Sequence, residues 1–289
     1  MPSESSQLPR VAIVGSPDKQ LAAAPTIKRL EKWLEGRARV VFSELTYESS
    51  RSLAHDPQMM FVIGGDGTLI AGVRDLGERQ LPIVGVNIGK LGYLADFTVE
   101  QLEANGDFLF NGELPVTRRV MLDVTLESVG GASFHTPAVN DCVIQAGAPF
   151  RMIEIAVEAD GDEVVEVAGD GLIVATPSGS TAHNLAAGGP ILEPTAESVI
   201  LTPICPHALT YRPLTMAVER RIVLTLRRGN PGTSVVIDGR TIKPFREGDR
   251  LLLTRYAADF LLVRNPSHSE WHALRHKLKW GELPNYRRQ

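Results

Sequence analysis

Cysteine is scarce in this chain of 289 residues: Cys142 and Cys205 stand far apart, with no second pair. That excludes a disulfide framework and a cysteine zinc site, and reduced thiols are the expectation. Long apolar runs are also missing, and Met1 to Arg10 is polar rather than a secretion signal. The expectation is therefore a cytosolic, cytoplasmic protein with no membrane partner. No charge of one sign dominates. Thirty Lys and Arg against 34 Asp and Glu give a formal net charge of −4, so no polycationic face for nucleic acid is implied. Two phosphate-binding signatures are absent as well. Val11 to Ser16 carries no G-x-G-x-x-G, which leaves a dehydrogenase-type fold unsupported. Gly85 to Leu91 resembles a P-loop only in outline, because three residues separate Gly85 from Gly89 and Leu91 replaces Ser or Thr.

What is present divides into two textures, and the length suits two domains. The first texture alternates strands with helices. Val11–Val14, Val40–Phe42, Met59–Ile63 and Pro82–Val86 read as short apolar strands. Pro25 is read as the first turn of a helix whose face carries Ile27, Leu30, Trp33 and Leu34. Thr98 and Gln101 are spaced as a capping box for a helix reaching about Phe110. This alternation predicts an open, mostly parallel sheet with helices on both faces.

The texture changes at Asn111-Gly112-Glu113-Leu114-Pro115. Beyond it Val120, Leu122, Val124 and Leu126 alternate with Arg119, Met121, Asp123 and Thr125, and many short strands follow. An all-β, sandwich-like second domain is predicted. After Pro266 helical spacing returns with Trp271, Leu274 and Leu278, a segment able to return to the first domain. The boundaries read are 1–114 completed by 265–289, and 115–264.

Three stretches carry chemistry. The first is Phe61-Val62-Ile63-Gly64-Gly65-Asp66-Gly67-Thr68-Leu69. Glycines let the backbone turn sharply and approach a phosphate, and a helix opening near Thr68 aims its free N–H groups at the same gap. Asp66 then serves as a helix cap, holds a metal ion, or takes a proton from an attacking hydroxyl. The second stretch runs from Gly169 to Glu193, where the hydroxyls of Ser178, Ser180 and Thr181 precede an alanine-rich segment ending at Gly188-Gly189. One hydroxyl suffices for a cap, so a polar ligand explains the cluster better. The third is Asn140-Asp141 at the mouth of an apolar strand. The pair is either that strand's turn, or an amide suited to an adenine edge beside a carboxylate suited to two ribose hydroxyls.

Gly64-Gly65-Asp66-Gly67-Thr68, Asn140-Asp141, Asp170-Gly171 through Gly188-Gly189-Pro190, Cys205-Pro206-His207 with Arg212-Pro213, and Asp238-Gly239 together resemble the signature blocks of the NAD kinases. The glycine–aspartate block alone is shared with lipid kinases and phosphofructokinases; the long second block is far more specific. The resemblance spans Val11 to Trp280. It implies transfer of the ATP γ-phosphoryl group to the 2′-hydroxyl of the adenosine ribose of NAD, with Mg²⁺ accompanying ATP and no all-protein metal site. It implies Asp66 as the catalytic residue beside that hydroxyl, and Gly64, Gly65, Gly67 and Thr68 around the donor phosphates. Tyr93, Asn140, Asp141, Thr181 and Ala182 are implied at the adenosine end, Asp170, Ser178, His183 and His207 at the nicotinamide end, and Asp238 among the NAD-binding residues. A homodimer or homotetramer with sites completed across subunits is implied too.

Two positions depart from the family pattern, which usually has Glu at Asp141 and Tyr at His183. The shorter Asp141 calls for a displaced strand or a bridging water. His183 titrates near neutral pH, so NAD affinity is expected to vary between about pH 6 and 8 through it. Two competing readings are a lipid or sugar-phosphate kinase, and a non-catalytic dinucleotide sensor. His268, His272 and His276 recur at helical spacing, and a solvated face is expected there rather than a metal site, Glu270 pointing off that face. The basic tail Tyr286-Arg287-Arg288-Gln289 reads as a frayed end.

Overall fold

A computed structural model of the chain describes residues 8–89, 92–269 and 271–282. Lys90, Leu91, Glu270 and the tail Tyr286–Gln289 lie outside the described residues. In chain order the strands and α-helices are β1 (Arg10–Gly15), α1 (Gln20–Leu34), β2 (Arg39–Leu45), β3 (Met59–Gly64), α2 (Asp66–Leu76), β4 (Ile83–Asn87) and α3 (Val99–Asn105). They continue with β5 (Val116–Arg119), β6 (Leu122–Glu127), β7 (Ser133–Ala138), β8 (Asp141–Gln145), β9 (Ile153–Ala159), β10 (Asp162–Gly169), β11 (Gly171–Ala175) and α4 (His183–Ala186). The last are β12 (Ser198–Ile204), β13 (Leu214–Ala217), β14 (Ile222–Arg228), β15 (Ser234–Ile237), β16 (Thr241–Pro244), β17 (Arg250–Arg255), β18 (Phe260–Val263) and α5 (His272–Lys277).

These elements form two compact units. One gathers described residues of Met1–Leu76, Leu81–Thr117 and Leu261–Gln289, the other Gly77–Gln80 and Arg118–Phe260. The first holds a sheet of order β2-β1-β3-β4-β18-β5, in which β1 pairs in parallel with β2 and β3, and β4 with β3 and β18. All six residues of β3 are buried, which is why that strand reads as an unbroken apolar run. Ile27, Leu30 and Leu34 of α1 pack with Ile13, Phe61 and Val84 in one core. Strand order reverses between β1 and β3, so the crevice at their carboxyl ends is where an open α/β sheet binds ligands.

The second unit is a sandwich of two antiparallel sheets, β10-β9-β14-β17-β6-β7 and β13-β12-β11-β8-β15-β16. Leu122, Val124, Leu224 and Leu253 from one sheet share a core with Ile144, Val174, Leu201 and Val235 from the other. The fold class is thus as the sequence indicates, a mostly parallel α/β unit and an all-β one. The C-terminal α5 belongs to the first unit, tied there by His268 Nδ1 and Asp96 Oδ1 at 2.7 Å.

Local expectations need correction in four places. Helix α1 starts at Gln20, leaving Pro25 inside it rather than at its first turn. The carbonyl that Pro25 cannot serve is that of Leu21, whose residue is 95% exposed and so open to solvent. Helix α3 ends at Asn105 and continues only as a 3-10 turn over Gly106–Leu109, although the Thr98–Gln101 capping box is present. Met121 is fully buried because the chain leaves β5 of the first sheet there before β6 begins, breaking the alternation. Finally, α2 begins at Asp66 and not near Thr68, which places Asp66 in the first turn of the helix.

Candidate active site

In the first unit everything turns on Asp66. Its side chain leaves the head of α2 and is held by three backbone donors: Tyr93 N to Oδ2 at 2.7 Å, with Leu94 N and Ala95 N to Oδ1 at 2.9 and 3.1 Å. The chain reaches that position because it loops after β4 and returns beside it, Phe97 N donating to Gly85 O and Asn87 N to Phe97 O. Gly92 is required at the closest approach, since a Cβ there would stand 2.0 Å from Asp66 Oδ1. Asp66 is therefore not a helix cap. It is a carboxylate fixed by backbone.

The other residues expected around it fall into distinct roles. Gly65 is half-buried, and Gly67 is exposed. Thr68 is buried and packs back under Gly64, its Oγ1 filling the space a Gly64 side chain would need. Tyr93 has a buried hydroxyl with no partner among the described residues, and Lys277 Nζ lies 5.6 Å from its ring centroid. Burial, and then the charge of Asp66, push the Tyr93 phenol up to about 12, so it stays a neutral donor.

Two residues of this unit were not legible beforehand. Lys19 Nζ comes within 3.9 Å of a Cβ built on Gly65, placing a cation at the glycine turn. It arrives on the turn after β1, the other strand of the reversal point, and only the parallel pairing of β1 with β3 brings it there. Asn87 spends its Oδ1 on Gly89 N, and its buried Nδ2 has no partner among the described residues.

In the second unit the period of β8 directs Asp141, Val143 and Gln145 to the outer face of the sheet, while Cys142 and Ile144 enter the core. Those three, with Asn140, Ala182, His183, Val236, Asp238 and Gly239, line a cavity of about 220 Å³. The corner before β8 is clamped from two sides. Thr176 N donates to Asn140 O and its hydroxyl to Val139 O, while Gly179 sits so close that a Cβ would lie 2.0 Å from Asn140 O. On the other side Asp238 accepts N–H bonds from Val139, Asn140 and Asp141 at 3.0, 2.7 and 3.2 Å. Asn140 Oδ1 is buried and unpartnered among the described residues, as is Ser178 Oγ.

The hydroxyl cluster divides. Ser180 uses its hydroxyl internally, donating to Pro177 O and accepting from Leu192 N, and Thr181 Oγ1 turns back to Ser178 O. Only Ser178 is left with an uncommitted hydroxyl. The alanine-rich helix is shorter than its composition suggests: α4 covers four residues before Gly188 takes a left-handed φ of 84°. Asp170 and His207 are not in this cavity. They adjoin the opposite end of β11, Asp170 N bonding Ile204 O and His207 N bonding Ala168 O. Four strand steps of about 3.3 Å put them on the order of 13 Å from the Asp141 end.

The three tail histidines do not form a plain solvated face. His268 is held by Asp96, and its ring stacks on His272 at 4.0 Å with 2° between planes, His272 meeting His276 at 4.3 Å. Parallel rings cannot converge their in-plane nitrogens on one ion. Among the described residues no group of three His, Cys, Asp or Glu side chains is placed to hold a metal.

Comparison with known proteins places these features. Sequence profiles described as the ATP-NAD kinase N-terminal and C-terminal domains match residues 19–114 and 139–264. A protein of Rhodopirellula baltica named NAD kinase is 37% identical over 275 residues, covering 94% of this chain and 87% of that one. One of Citrifermentans bemidjiense, also named NAD kinase, is 39% identical over 264 residues and 91% of each chain. Among solved structures, an NAD kinase from Archaeoglobus fulgidus in complex with ATP superimposes with a TM-score of 0.71 at 28% identity, covering 89% of this chain and 94% of that one. Yeast NADH kinase complexed with NADH gives 0.82 at 20% identity over 97% and 89%, a likeness of fold.

Proposed function

This chain belongs to the NAD kinase family of phosphotransferases, and on that premise we propose that Asp66 receives the proton of the acceptor hydroxyl. The reaction is transfer of the γ-phosphoryl group of ATP to the 2′-hydroxyl of the adenosine ribose of NAD, giving NADP and ADP. The observation that carries the role of Asp66 is its fixation by the N–H groups of Tyr93, Leu94 and Ala95 at the head of α2. A hydroxyl is a poor nucleophile near neutral pH, and a positioned carboxylate that takes its proton late contributes roughly 10²–10⁴-fold. The rest of phosphoryl transfer is alignment and charge neutralisation.

In the first unit, Gly64, Gly65, Gly67 and Thr68 form the turn that receives the donor phosphates. Gly65 lets the backbone approach, and Lys19 supplies positive charge beside it. The divalent cation that such a family requires is Mg²⁺ carried in with ATP, since it neutralises the triphosphate without an all-protein cage. In the second unit Asn140 presents its amide to adenine, Asp141 meets ribose hydroxyls, and Thr181 and Ala182 contact the adenine end. Asp170, Ser178, His183 and His207 serve the nicotinamide end. The distance of Asp170 and His207 from Asp141 along β11 supports a homodimer or homotetramer in which a neighbouring subunit supplies some of them. A cytoplasmic setting suits the two unpaired cysteines.

Purified protein incubated with ATP, Mg²⁺ and NAD forms NADP, read with an NADP-specific dehydrogenase. Absence of NADP from protein that still binds NAD would overturn the reading in favour of a sensor.

A further inference from the structure

The cavity of the second unit holds two carboxyl groups, and they are not equivalent. Asp238 is surrounded by N–H donors from Val139, Asn140 and Asp141, so an acid proton on either oxygen would face a donor. A carboxylate satisfies all three. It is placed there by a turn in which Asp238 and Gly239 both have positive φ, 49° and 66°. Asp141 has the opposite surroundings. The residue is 5% exposed, lines the cavity, and its carboxyl accepts no hydrogen bond among the described residues.

We propose that Asp238 is the fixed anion that positions the 139–141 corner, and that Asp141 is the partner that carries a proton in the empty cavity and releases it when a ribose diol binds. The proposal rests on the NAD kinase reading and adds proton linkage to it. Two hydroxyl donors are met best by an ionised carboxylate, whose hydrogen bonds are roughly twice as strong as those of the neutral acid. The balance is simple: Asp141 loses one proton to solvent and gains two O–H donors from the ribose.

The electrostatics agree. Burial first, and then the charge of Asp238, raise the Asp141 carboxyl to about 7. The titratable neighbours are few. Cys142, next along β8, is pushed well above its usual range by burial and by both carboxylates, and stays a neutral thiol. From β11 the residue paired with Asp141 is Ala175, and from α4 the facing group is His183. Ionisation of Asp141 strengthens binding as pH rises.

The test is calorimetric titration of the full chain with NAD, without ATP, from pH 6 to pH 8. Half-ionisation near 7 takes Asp141 from about one-tenth to about nine-tenths charged, so affinity rises about tenfold across that range. Repeating the titration at pH 7 in buffers of different ionisation enthalpy shows proton release on binding. Asp141→Asn, which imitates the neutral acid, flattens the profile. Asp238→Asn moves its midpoint to lower pH, a shift that loosening of the corner alone does not produce. His183→Gln keeps the rise. A flat wild-type profile without proton release, a falling one, or loss of the rise in His183→Gln would overturn the proposal. NADP formation in that event leaves the kinase reading standing, so the two fail separately.

Discussion

A methyl group at Gly92 should disable the enzyme without unfolding it. An added Cβ would stand 2.0 Å from Asp66 Oδ1 and 3.0 Å from both Asp66 Cγ and Ala95 N. Carbon and oxygen settle at about 3.3 Å, so a gap of more than about 1 Å has to open. The loop cannot supply it by backing away. It runs beside β4 at Gly85, where a Cβ would already meet Leu69 Cδ1 at 2.7 Å and Ala95 Cα at 2.8 Å. The carboxylate therefore moves, and the bonds from Leu94 and Ala95 to Oδ1 stretch first. A displacement of about 1 Å from the productive geometry costs roughly 10²-fold in turnover. Weakening hydrogen bonds to one charged group costs about 2 kcal/mol, a loss that a unit with its own large core survives. The assay is kcat for NADP formation by Gly92→Ala against wild type, with thermal melts of both. A variant that is folded and turns over within about threefold of wild type would show that the backbone cradle does not set the reacting geometry.

Three further outcomes follow from neighbouring features. Asp66→Asn lowers turnover by about 10²–10⁴-fold. Its amide N–H₂ also faces a donor, Tyr93 N or the Leu94–Ala95 pair, so KM for NAD rises with it; an unchanged KM would separate Tyr93 from the nucleotide. Asp141→Asn stabilises the protein in alkaline solution: the native carboxyl, raised from 3.8 to about 7, binds its proton more tightly than the unfolded chain, so wild-type stability falls as pH climbs between those values. At pH 8 the variant gains about 2–4 kcal/mol in denaturant melts, and the gain vanishes near pH 4; equal melts at pH 8 would contradict it. His272 has its ordinary value lowered by burial and by His268 and His276, outweighing Asp96, so the unfolded tail binds a proton the docked tail resists. Protection factors of the α5 amides, corrected for the intrinsic pH dependence of exchange, should then be lower at pH 5 than at pH 7.5, and His272→Gln should narrow that difference.

The parts of the site that could be read from sequence are those written in side chains adjacent along the chain. The buried run of β3 and the glycines after it are such features, as is the Thr98–Gln101 box, whose two reciprocal bonds span three residues. What escaped is held by backbone over long separations. Tyr93, Leu94 and Ala95 grip Asp66 from 27 to 29 residues away through N–H groups that every residue but proline carries, so no residue type betrays them. Asp238 does the converse, one carboxylate on three N–H groups 97 to 99 residues earlier. Its resemblance block marks it as an NAD-binding position, and its three N–H partners also make it a support of the residues beside it. The three hydroxyls after β11 mislead in the opposite sense, because serine and threonine serve their own turn as readily as a ligand, and two of them do so. The glycines are the one signal that crosses between these cases. Gly92 and Gly179 are small because a carboxylate and a carbonyl oxygen occupy the space beside them, at 2.0 Å from a Cβ in each case. A glycine in an ordinary loop position, outside any left-handed turn, thus marks a close approach whose partner only the fold discloses.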